Sequence, residues 1–159
     1  MDANTLYIGT AAIVVAITSF VFCTNRTAPR PKKTLYDELG GAAAIDAVVE
    51  KFYDERVLKD PITAPLFKNT NMSRQKIHQK NFITFATGGP NNYSGRGMKA
   101  VHAKLGIAEE HWNAVCGHLV GTLKDLGVTQ RLIDQVVKTV APLHDDIVTV
   151  VDPAQAIPR

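Results

Sequence analysis

The chain has 159 residues, 45% of them hydrophobic and 21% charged, with a formal net charge of +3 at pH 7. This length suits one globular domain with an appendage, and is enough for a real core. Its two cysteines, Cys23 and Cys116, cannot make a disulfide scaffold, and the balance of acidic and basic side chains from Thr34 to Val150, without aromatic interleaving, gives no sign of a nucleic-acid surface.

The first 33 residues differ from the rest. From Leu6 to Cys23 the run LYIGTAAIVVAITSFVFC carries no charge, and at about 1.5 Å per residue it reaches across a hydrocarbon core of roughly 30 Å. It is expected to be a single transmembrane anchor. Asp2 is the only charged side chain before it, whereas Arg26, Arg30, Lys32 and Lys33 follow, so the positive-inside rule leaves the remainder cytoplasmic. The organisation expected is therefore an anchor and basic linker over residues 1–33, a helical domain over 34–150 and a tail over 151–159.

Within the domain every segment has helical periodicity and none alternates as a strand does, so the class is all-α. Thr34 is placed to cap a short helix, LYDEL, which Gly40 and Gly41 end. A long helix is expected from about Ala42 to Leu58, with Ile45, Val48, Val49, Phe52 and Tyr53 on its buried stripe. Pro61 and Pro65 break the next stretch and deliver Leu66 and Phe67 from a corner. The helix that begins near Asn71 or Ser73 and stops at TGGP is unusual, because Gln75, His78, Gln79 and Phe82 share one side of it. A short helix then carries His102. A further helix runs from about Ala108 to Leu126, with Trp112, Val115, Cys116, Leu119 and Leu123 on one side, and the last starts near Thr129 with a kink at Pro142.

His102 on one helix faces a set of hydrogen-bonding groups supplied by two others: Gln75, His78 and Gln79, with Tyr53 approaching from the third. One imidazole opposite polar donors fits a haem, whose iron takes a histidine on one side and a diatomic ligand on the other. Phe67 and Phe82 would pack against the porphyrin. No Cys-x-x-Cys-His occurs, and no Glu-x-x-His pair suggests zinc or di-iron.

Five segments in order, LYDELGG, VVEKFYDERVL, LFKNTNMSRQKIHQKNF, GGPNNYSGRGMKAVHAKLGI and LIDQVVKTVAPLHDDIV, resemble the group I truncated haemoglobins from Thr34 to about Val150. The resemblance implies a two-over-two helical sandwich around haem b. It matches His102 to the proximal iron ligand, Tyr53 to the distal tyrosine, Gln75 and Gln79 to the distal amides, and Phe67 to the phenylalanine against the haem. His78 matches a position from which some members ligate iron directly, and it could equally meet a haem propionate. His144 lies near a position at which some relatives link a histidine to a haem vinyl, although the alignment needs a gap there; otherwise it is a surface histidine. His111 and His118 are expected to be solvent-facing or capping, and Cys116 to be core.

The activity implied is binding of dioxygen and nitric oxide, and conversion of nitric oxide to nitrate. No flavin or nicotinamide motif occurs in the chain, so that activity requires a separate electron-donating reductase. Two alternatives stay open: a carrier, store or sensor of dioxygen without turnover, and electron transfer or peroxide chemistry at a haem held by both His102 and His78.

Overall fold

Residues 32–90, 93, 95 and 97–150 are described by the computed structural model. Thr34 opens the first helix, α1 (Leu35–Leu39), through a reciprocal cap: its hydroxyl accepts the Asp37 N–H at 3.2 Å and the Asp37 carboxylate accepts the Thr34 N–H at 3.0 Å. Gly40 and Gly41 then take φ of 108° and 70°, a left-handed reversal that a side chain would strain, and α2 (Gly41–Lys51) leaves in a new direction.

The long helix expected to Leu58 is not uniform. After Lys51 it widens into a π-helical turn, Phe52–Val57, in which the Leu58 N–H donates to the Tyr53 carbonyl five residues back at 3.1 Å. Such turns recur at functional sites. Here the turn keeps Phe52, Tyr53 and Val57 all buried.

Beyond it, Thr63 donates its hydroxyl to the Val57 carbonyl at 2.7 Å and fixes the corner. Pro65 lies in the 3-10 turn Ala64–Phe67 that follows. Asn71 caps α3 (Met72–Ala86) by accepting the Arg74 N–H at 3.0 Å. Next come α4 (Met98–His102), α5 (Glu109–Asp125) and α6 (Gln130–Val140). Pro142 sits in a 3-10 turn, Ala141–Leu143, that leads into α7 (His144–Ile147), so the expected kink is a break between two elements.

Helix α2 packs on α3 and α5 on α6, with α2 also touching α5, while α1 bridges α2 and α6. This is the two-over-two arrangement. Ile45, Val49, Phe52, Tyr53 and Val57 form one buried cluster, and Val48, Leu123, Ile133 and Val136 another, so α2 feeds both. Each fully buried aliphatic side chain contributes about 1.5–3 kcal/mol. No strand occurs among the described residues; a lone bridge joins Ala108 and Val150, and there Ile107 receives the Thr149 N–H at 2.8 Å.

The expectation of a membrane-anchored chain is corrected. Among the described residues no helix is long and apolar enough to cross a membrane, and residues 6–23, to which the anchor was assigned on hydropathy alone, lie outside the described residues.

Candidate functional site

Helix α3 cannot be held by burial in the ordinary way, because none of its residues is buried. Its outer flank is held to α2 and the π-helical turn after it by charge instead. Lys76 Nζ lies 2.6 Å from Glu50 and 2.8 Å from Asp54, and Lys80 Nζ lies 2.9 Å from Glu50 and 3.3 Å from Asp46. The partnership with Asp54, then with Glu50, raises the Lys76 pKa, and the two lysines lower that of Glu50. Since the Glu50 value is depressed, its stabilisation is present above the unfolded-state value and is lost as pH falls through the folded one. Exposed pairs of this kind are worth at most about 1 kcal/mol each. A Lys76→Gln/Lys80→Gln chain is therefore expected to melt a few degrees lower in dilute buffer. The difference should shrink in about 1 M salt, where screening acts within roughly 3 Å.

The inner flank of α3 borders a cavity of about 370 Å³, within the size range of about 300–1,000 Å³ usual for small-molecule and cofactor sites. Tyr53, Gln75, Gln79, Phe82 and His102 all line it. The Gln75 amide donates to the Tyr53 hydroxyl at 3.1 Å. Burial pushes the Tyr53 phenol above its usual pKa, so it stays protonated, and the hydroxyl has its own hydrogen left to donate into the cavity.

His102 lines the same cavity. Its Nδ1 lies 2.8 Å from the Met98 carbonyl oxygen, which can only accept, so Nδ1 carries the proton and Nε2 keeps a lone pair. A metal-ligating histidine is prepared in this way, its second nitrogen donating to a backbone carbonyl. The remaining walls are apolar: Ile83 from α3, Trp112, Val115 and Leu119 from α5, and Val136, Val140, Leu143 and Ile147 from the chain's last elements. An apolar slot with one imidazole lone pair and a facing phenol and amide fits a haem.

Phe67 and His78 are not among the cavity-lining side chains; Leu66 is. Phe67 instead packs edge-on to Tyr53, with ring centroids 5.6 Å apart, and so braces the tyrosine from behind. His78 is exposed. His111 caps α5, its Nδ1 accepting the Ala108 N–H at 3.0 Å, and it also reaches the cavity. Cys116 lines the cavity too, and burial raises its thiol pKa. His118 is paired with Asp60, which also accepts the Ile62 N–H at 2.7 Å, and this ties the Phe67 corner to α5.

His144 stacks edge-on against Trp112 and lies outside the lining. Its ring nitrogens face Asp145 at 2.8 Å and Glu109 at 2.9 Å, and these two carboxylates, Asp145 first, raise its pKa. Because the value is raised, the clamp is complete below the ordinary histidine pKa and is released as pH rises through the folded one. Proton NMR is expected to give His144 a midpoint above the ordinary histidine value, and Glu109→Gln should lower that midpoint.

A bacterial-like globin family model matches residues 34–149. A group 1 truncated haemoglobin of Synechocystis is 44% identical over 116 residues, covering 70% of this chain and 93% of that protein. The crystal structure of the truncated haemoglobin of Tetrahymena pyriformis in its Fe(III) form superposes with a TM-score of 0.70 at 37% identity, over 72% of this chain and 97% of that one. The 2/2 haemoglobin of Synechococcus sp., in the cyanomet state with covalently attached haem, gives a TM-score of 0.70 at 43% identity, over 74% of this chain and all of that one.

Proposed function

Since the chain belongs to the group 1 truncated haemoglobins, with haem b as cofactor and dioxygen as ligand, we propose that it converts nitric oxide to nitrate using an external electron donor. The observation that carries this reading is that the Tyr53–Gln75 pair and the carbonyl-locked His102 line one cavity.

Haem iron supplies the one-electron centre at which dioxygen and nitric oxide combine, with one electron, to give nitrate. His102 would hold that iron through Nε2, and its bond to Met98 keeps the ring in the required tautomer. Tyr53 donates its hydroxyl hydrogen to the diatomic ligand, while Gln75 fixes the phenol from the other side and Gln79 adds a second amide. Phe67 prevents the Tyr53 ring from swinging away. Phe82, Ile83 and Trp112 exclude water, which strengthens each of these polar contacts. His78, being exposed and outside the cavity lining, would take no part in holding the haem.

The test mixes the aerobic, reduced, haem-loaded chain with nitric oxide and measures nitrate. One nitrate per nitric oxide, with ferric protein left behind, is expected. Survival of the oxygenated protein without nitrate formation would instead favour a carrier or store.

A further inference from the structure

We propose that α4 and the loop after it form the docking face for an acidic one-electron carrier protein, built from Lys99, Lys104, Val101 and Leu105. The proposal rests on the reading above, in which His102 of the same helix holds the haem. Between Asp60 and Glu109 the sequence contains no acidic residue, and every formally charged side chain in that stretch is a lysine or arginine. The balance of charge over the whole domain hides this segregation. Lys76 and Lys80 from the same stretch are matched by the acids of α2 and of the π-helical turn after it. Lys99 and Lys104 are exposed and form no ion pair among the described residues.

Beside these cations the helix exposes Val101 at 40% and the loop after it exposes Leu105 at 48%. Apolar residues inside a rim of like charge are the composition of a transient protein interface, in which the rim governs encounter and the centre loses water. A carrier of negative surface charge is steered to such a face, and a basic one is repelled. The location suits electron delivery. Helix α4 is only five residues long, and His102 on the same helix as Lys99 and Val101 lines the cavity. In the step itself the reduced carrier loses one electron and the ferric haem gains it. No proton moves and no bond forms or breaks.

The probe is a small acidic plant-type [2Fe–2S] ferredoxin, with the full haem-loaded chain as its target. Binding of the oxidised probe is measured by calorimetry, and reduction of the ferric chain by the reduced probe is followed by stopped flow. Lys99→Glu/Lys104→Glu should weaken binding and slow second-order reduction by about ten-fold or more, and flatten the dependence on ionic strength. Lys124→Glu/Lys138→Glu, at exposed positions on α5 and α6, should change either by less than about two-fold. Reduction by dithionite and dioxygen binding should be unchanged in both. Should the Glu pair fail to hold haem, Lys99→Gln/Lys104→Gln gives the same test with a smaller expected loss. Equal losses from both lysine pairs, or none from the α4 pair, overturn the docking face and leave the proposed function standing. Loss of nitrate production even with a chemical reductant overturns that function instead.

Discussion

Replacing His102 by glycine is expected to leave the helices folded and to lower haem affinity by well over about a hundred-fold, given that loss of a ligand's supporting hydrogen bond alone costs about 10–100-fold. The argument is local. His102 is the cavity-lining imidazole whose other nitrogen is committed to a backbone carbonyl, whereas His111 spends its Nδ1 on the α5 cap. Haem titration followed in the Soret band measures the loss. Imidazole added to the glycine variant should restore part of the binding, which a general loss of structure would not allow. His78→Ala, by contrast, should bind haem as the unaltered chain does.

Tyr53→Phe is expected to raise the dioxygen dissociation rate by about ten- to a hundred-fold, since one hydrogen bond to a neutral or partly charged acceptor is worth about 1–3 kcal/mol. The phenylalanine ring keeps the contacts with Phe52 and Phe67, so the effect isolates the hydroxyl. Gln75→Leu should give a smaller rise, because the amide acts through the tyrosine that it holds. The double variant should therefore fall short of the product of the two, and stopped-flow displacement of dioxygen by carbon monoxide supplies all four rates. Burial raises the Tyr53 pKa above its usual value, so the rate of the unaltered chain should be flat from about pH 6 to about pH 9.

The helices and the polar face of α3 could be read from sequence because amphipathic periodicity and glycine stops are local signals. Thr34, Gly40 and the stripe from Ile45 to Tyr53 are of that kind. The π-helical turn after Lys51 was not legible, since a widened turn leaves the residue pattern of FYDERV looking like ordinary helix. The resemblance matches Phe67 to the phenylalanine against the haem and His78 to a position near the iron. Which way a side chain leaves a corner or a helix depends on packing several elements away, and here Phe67 backs Tyr53 while His78 faces outward. The charge ladder has a signal in the sequence: Asp46, Glu50 and Asp54 recur at intervals of four, as do Lys76 and Lys80, so helical segments that pack together bring the rows into register. The segregation of acids from the stretch between Asp60 and Glu109 was equally visible, and averaging charge over the domain concealed it.

The central claim is that haem is held by His102 alone, with Tyr53 and Gln75 facing an open sixth position. The optical spectrum of the haem-loaded chain, reduced with dithionite under argon, tests it most directly. A five-coordinate high-spin ferrous spectrum at one haem per chain, lost in His102→Gly, is the result predicted. A six-coordinate low-spin spectrum that reverts to high-spin in His78→Ala, or a chain that retains no haem, would contradict it.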